Sequence, residues 1–117
     1  MDYGKYVNCE KVYVGDAAIG GNGLFTRVPI KKGEVIEKCI MVPMKGPEDL
    51  GHYNSHLFTW SDDRKIWAIG SGMAMFINYS DKPNCAKKRD MVGNTMEIIA
   101  LHDIPAHTEL LSTYYSK

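Results

Sequence analysis

The chain has 117 residues, room for one domain over residues 1–117, and a globular unit of this size buries about 65% of its unfolded-chain surface, enough for a core without covalent staples. Hydrophobic residues make up 44% and charged residues 24%, and fourteen basic side chains cancel fourteen acidic ones to a formal net charge of zero. That balance argues against a protein drawn electrostatically onto nucleic acid, and the short basic runs Lys31-Lys32 and Lys87-Lys88-Arg89 read as solvated faces.

No apolar stretch approaches the ~20 residues of a bilayer span, and the N-terminus, with Asp2 and Lys5 among tyrosines, lacks a signal-peptide core. No membrane association is expected, and the location is expected to be intracellular. The three cysteines, Cys9, Cys39 and Cys85, are odd in number and far apart, which favours reduced thiols over a disulfide framework. His52 and His56 stand four apart, but Tyr53, Asn54 and Ser55 between them lack the Glu of a metalloprotease helix, so no metal site is expected.

In chain order, strands are expected at Lys11–Val14, Leu24–Arg27, Val35–Val42, Leu57–Trp60, Lys65–Ala68, Met96–Leu101 and Glu109–Ser112, short β-branched or apolar runs bounded by Gly, Pro, Asn and Asp. Lys31-Lys32-Gly33, Asp62-Asp63 and Gly93-Asn94 supply reversals. Pro43–Gly51 reads as a loop with a helical turn at Pro47–Leu50, and Met73–Ile77 as helical or irregular. Strands at short spacing without long amphipathic helices make the fold mainly β.

Three segments carry chemistry. Gly20–Phe25 reads GGNGLF, Phe76–Asn84 reads FINYSDKPN, and Glu109–Tyr115 reads ELLSTYY. Taken alone, Gly20, Gly21, Asn22 and Gly23 are a turn, since Gly and Asn tolerate positive φ, and Asn78 and Ser80 are a turn entry. Together and in this order they resemble three signatures of the SET-domain protein lysine methyltransferases. The family's middle signature runs roughly Arg-Phe-Ile-Asn-His-Ser-Cys-x-Pro-Asn. Phe76, Ile77, Asn78, Ser80, Pro83 and Asn84 match it, while Met75, Tyr79 and Asp81 stand at its Arg, His and Cys. Glu109, Leu110 and Tyr114 match the last signature, with Thr113 in place of a common Asp. The resemblance runs from about Val12 to Tyr115, and is closest to the minimal SET proteins of viruses and bacteria, without cysteine-rich zinc segments.

This resemblance implies a SET-type fold of small curved sheets whose C-terminal segment threads under an earlier loop as a pseudoknot, a topology periodicity does not give. It implies S-adenosyl-L-methionine as cofactor, held by Gly21, Asn22, Gly23 and Leu24 and by Asn78, Tyr79 and Ser80. Tyr114 is implied as the catalytic residue, orienting the lysine amine by position and electrostatics. His56, Phe58, Trp60 and Tyr79 are the implied substrate channel. The first three alternate onto one face of a strand, where ordinary core is the plain alternative, and His56 stands where a Tyr is frequent.

The reaction needs an unprotonated amine, and a free lysine with pKa near ~10.4 is neutral only about 0.1% of the time at pH 7.4, a cost of roughly 4 kcal/mol. Desolvation in an apolar channel offsets it. The partner implied is a protein substrate presenting a lysine, a histone lysine among the family's targets. The active form is expected to be a homodimer or to be completed by a partner, with the cytoplasm or nucleus as its place, the host nucleus if viral. The alternative is a catalytically degenerate SET domain that binds a protein or peptide.

Overall fold

The computed structural model describes residues 10–47, 57–61, 63, 65–70 and 72–113. β1 (Val12–Asp16) and β2 (Asn22–Thr26) form an antiparallel hairpin from Val12↔Thr26 to Asp16↔Asn22. Its loop closes because Ala17 N–H donates to Gly21 O at 2.9 Å and Gly20 N–H to Ala17 O at 3.0 Å. Gly20 and Gly21 take φ of +94° and +72°, which side chains resist.

The main sheet contains β3 (Val35–Lys45), β4 (Leu57–Thr59), β5 (Ile66–Gly70), β7 (Cys85–Asp90) and β8 (Thr95–Ala100), in the order β4-β5-β3-β8-β7. β8 shows the period of two plainly, burying Met96, Ile98 and Ala100. The sheet curls, so that side chains of one edge strand, β7, reach the other, β4. Arg89 Nη1 on β7 donates to Thr59 O on β4 at 3.0 Å, and Lys87 Nζ lies 5.4 Å from the Phe58 ring centroid.

Two expectations are corrected. Pro43 does not begin a loop: β3 continues through it to Lys45. Gly46 N–H donates to Lys65 O, and with the Met44↔Trp67 and Val42↔Ile69 pairs this places Pro43↔Ala68 at a non-hydrogen-bonded position, where the strand loses no β5 bond through proline's missing N–H. The second correction concerns Lys87-Lys88-Arg89, which belongs to a strand the sequence did not announce. Its inward face buries Cys85 and Lys87, the latter 9% exposed, so this run is a solvated face only in part.

A 3₁₀ turn, Ala74–Phe76, delivers the chain to β6 (Asn78–Tyr79), which pairs in parallel with β9 (Leu111–Ser112). The segment before and through β9 is gripped from both sides. On one side Thr26 N–H donates to Thr108 O at 2.9 Å and Leu110 N–H to Leu24 O at 2.7 Å. On the other, Asn84 Nδ2 donates to Glu109 O at 2.8 Å, and Leu111 N–H donates to Asn84 Oδ1 at 2.9 Å. This is the threaded C-terminal arrangement. Leu24, Ile30, Ile36, Ile98, Ile104 and Leu110, all buried, form the core beneath it. Among the described residues no helix is long and apolar enough to cross a membrane.

Candidate functional site

Threading brings the three chemistry-bearing segments to one junction. Asn78 Nδ2 donates to Asn22 O at 3.0 Å and to Glu109 Oε2 at 2.9 Å. Ala18 N–H reaches the other carboxylate oxygen, Glu109 Oε1, at 3.4 Å. One amide and one carboxylate thus tie the β1–β2 loop, the start of β6 and the C-terminal segment together. Both Nδ2 hydrogens of Asn78 are used, and among the described residues nothing donates to its Oδ1. The junction therefore presents a side-chain acceptor.

The residues expected at a cofactor site fall around this junction. Gly21 and Asn22 are exposed, and a side chain built at Gly20 or Gly21 would meet nothing within 4 Å. Gly23 is buried against Glu109, and Leu24 is 0% exposed, its side chain in the core and its carbonyl holding Leu110 N–H. Ser80 N–H donates to Ser112 O at 2.9 Å, while its hydroxyl accepts Lys82 N–H at 3.0 Å. Tyr79, opposite Ser112, is 49% exposed.

Of the expected channel residues, Phe58 packs against the core beside Lys87. Trp60 is buried, its indole N–H without an acceptor among the described residues. Both belong to the β4 region of the large sheet, whereas Tyr79 belongs to β6. His56 and Tyr114 lie outside the described residues. Glu109 is the residue that sequence reasoning used only to set register. Its acidic side chain beside an otherwise apolar Leu110-Leu111 run was the available signal.

The matching family model, described as SET domain, covers residues 21–115. The chain belongs to the SET-domain family. No curated protein sequence matches it significantly. Among solved structures, this SET domain is similar to a candidate histone methyltransferase of Plasmodium falciparum, with a TM-score of 0.72 and 27% identity over 92% of this chain and 99% of that one. It is also similar to a humanized mutant of the Chaetomium thermophilum Polycomb Repressive Complex 2 bound to an inhibitor, at 25% identity and a TM-score of 0.70, covering 88% of this chain and 14% of that one. A second Polycomb Repressive Complex 2 structure, at 23% identity and a TM-score of 0.72, shares the fold over 89% of this chain and 14% of its own.

Electrostatics inside the SET domain are set by burial. Desolvation pushes the Cys85 thiol up to about 12 despite the nearby Lys87 cation, which makes it an unreactive core group whose Sγ–H donates to Leu111 O at 3.4 Å. Desolvation likewise takes Lys87 down to about 8. At the surface, Glu34 is held below the usual carboxylate range by its hydrogen bond and 2.8 Å ion pair with Lys11.

Proposed function

We propose that this SET domain is an S-adenosylmethionine-dependent protein lysine N-methyltransferase of the minimal kind, acting on a protein that presents a lysine, a histone among the candidates. The observation that carries this reading is the Asn78–Asn22–Glu109 junction, which gathers the three segments the family resemblance assigns to cofactor and catalysis. The methionine end of S-adenosylmethionine carries an ammonium and a carboxylate. Asn78 Oδ1 suits the ammonium, and the exposed backbone at Gly21 and Asn22 gives room for close main-chain approach.

When bound, S-adenosylmethionine supplies an electrophilic methyl group for in-line displacement by an amine. The chain's own contribution is placement and exclusion of water. Tyr114, in the register set by Glu109-Leu110, orients the amine through its hydroxyl. Apolar channel walls, with Phe58, Trp60, His56 and Tyr79 as the proposed lining, disfavour the ammonium form of the substrate lysine and so bring its free lone pair within reach. The proton leaves to solvent, and no carboxylate base is required.

The proposal extends to a nuclear or cytoplasmic setting and to a homodimer. An apolar stripe supports the latter: Val42 pairs with Ile69 on the main sheet, both are exposed, and Ile40 is exposed beside them. The test is binding followed by turnover. Calorimetry with S-adenosylhomocysteine should show binding that Asn78→Ala abolishes, and mass spectrometry of a protein array incubated with labelled cofactor should show methyl-lysine. Binding without turnover on any protein would favour the peptide-binding reading. Absence of binding at millimolar ligand would refute the enzyme.

A further inference from the structure

Glu37 lies on β3 just past the bulge that shifts the β3–β8 register, and is 1% exposed. Its Oε1 accepts Met73 N–H at 2.8 Å, while its Oε2 is buried with no hydrogen-bond partner among the described residues. A Cβ at Gly72 would come within 2.6 Å of Oε1, and Gly72 holds φ at +76°, so the backbone approaches the carboxyl closely enough to require glycine. Met73 is the N-cap of the Ala74–Phe76 turn and makes no side-chain cap of its own. That turn runs straight into Asn78 and Tyr79. The carboxyl of Glu37 therefore grips the chain a few residues upstream of the cofactor segment.

An ionised carboxylate accepts about four hydrogen bonds, and among the described residues one is made. Leaving a charge so poorly solvated costs far more than leaving a neutral acid. Burial accordingly raises Glu37 above the ordinary carboxylate value, the Met73 bond opposing it only in part. The facing charges do not compensate. Glu37 pairs with Ile98 and Ile98 with Lys87, which puts Lys87 two strands, roughly 10 Å, away on the same face, with its ammonium over Phe58. Arg89, further along the same face, donates to Thr59 O. Lys38 and Glu97 sit opposite one another at the next register position, facing the other side of the sheet. Glu34, at the start of β3, is paired with Lys11. Neither Gly72 nor Met73 brings a charge.

We propose that Glu37 is a positioning residue for the cofactor segment: its neutral carboxyl holds the Gly72–Met73 backbone, and through it Asn78 and Tyr79, and its ionisation releases them. The proton passes to solvent; the Met73 bond by itself favours the ionised form, but a buried charge with one partner costs more than that bond returns, so the turn opens. Because the native acid is raised above its unfolded value of 4.5, the native state keeps a proton that the unfolded chain gives up. The anchoring is therefore complete at or below that value and is lost as pH rises through the native one.

The experiment compares wild type, Glu37→Gln and Glu37→Ala from the unfolded value of 4.5 upward into the alkaline range, by amide-exchange protection factors at Met73 and Ile77 and by calorimetric binding of S-adenosylhomocysteine. The binding arm rests on the proposed function, and the exchange arm does not. In wild type, protection should fall across the range and affinity should weaken by about fivefold or more, with one shared midpoint. Glu37→Gln, neutral at every pH, should hold both flat, and Glu37→Ala should be poorly protected throughout. Wild-type protection that stays flat, or a Glu37→Gln profile that tracks wild type, overturns the proposal. So does protection that follows Glu37 while affinity does not move. If S-adenosylhomocysteine binds at no pH, the cofactor reading falls, and the protection profiles still decide whether Glu37 holds the turn.

Discussion

The carboxylate of Glu109 occupies the space that a side chain at Gly23 would need: a Cβ there would lie 2.5 Å from Oε2 and 3.1 Å from the Ala17 Cβ. A carboxylate on a free side chain could swing aside, but this one is held by Asn78 Nδ2 and by Ala18 N–H. Glycine at this position therefore serves a close approach between two distant segments, and φ is not its reason, since Gly23 is absent from the positive-φ residues.

Gly23→Ala should accordingly cost on the order of 2 kcal/mol, most of it the broken Glu109–Asn78 contact. Chemical denaturation measures the loss. The informative comparison is with Glu109→Ala and the double variant. If the clash acts through the carboxylate, the two single effects overlap, with a coupling of roughly 1–2 kcal/mol. Strict additivity would mean that the collision is relieved elsewhere.

A second glycine pair separates backbone strain from collision. Gly20 and Gly72 both have positive φ, +94° and +76°, but nothing lies within 4 Å of a Cβ at Gly20, whereas at Gly72 the Glu37 carboxyl oxygen is 2.6 Å away. Gly20→Ala should cost about 1 kcal/mol from left-handed backbone alone. Gly72→Ala should cost roughly 2–3 kcal/mol, adding displacement of a buried carboxyl from Met73 N–H. Equal losses in urea denaturation would show that Glu37 yields freely.

Sequence reasoning reached the parts of this fold that local pattern encodes. β8 alternates in Thr95–Ala100, and Gly93-Asn94 marks its turn, where Asn94 takes φ of +53°. β7 was hidden because Lys87 and Arg89 occupy inward positions that alternation assigns to apolar side chains. The curl of the sheet brings Phe58 and Thr59 opposite them, where Phe58 faces the Lys87 ammonium and the Thr59 carbonyl accepts from Arg89. Asn78 and Ser80 were legible through the family motif. The Glu109–Gly23 contact was not, since it depends on threading the C-terminal segment, and no local propensity records that. Glu37 was half legible: it alternates with the buried Cys39 and Met41 along β3, a buried acid in a strand pattern.

Lys87 gives a prediction of opposite sign to that for Glu37. Burial lowers it from 10.5 to about 8, so between those values the native state binds fewer protons than the unfolded chain and stability rises with pH. Below about 8 both states are protonated and the burial cost is fully present. Lys87→Met keeps the stem and removes the charge. At neutral pH it should stabilise the domain by on the order of 1–3 kcal/mol, less the cation–π contact with Phe58, and it should abolish the alkaline rise. Melting temperatures across neutral to alkaline pH measure both effects, and a destabilised variant would show that the ammonium's contacts outweigh its desolvation.

The last prediction concerns which tyrosine acts. The C-terminal segment is fixed as far as Ser112, whose carbonyl accepts Ser80 N–H at 2.9 Å, and Leu111 is locked by Asn84, so register is set just before the two tyrosines. Counting from Glu109-Leu110 gives Tyr114 the family's catalytic position. A hydroxyl aimed at the reacting centre contributes chiefly in the transition state, whereas a packing tyrosine loses only its polar tip. Tyr114→Phe should therefore lower turnover by about a hundredfold, roughly 2.7 kcal/mol, with cofactor affinity nearly unchanged. Tyr115→Phe should do little. Single-turnover kinetics with calorimetric affinities distinguish the cases: a crippled Tyr115→Phe moves the register by one residue, and full activity in both variants removes tyrosine from the chemistry.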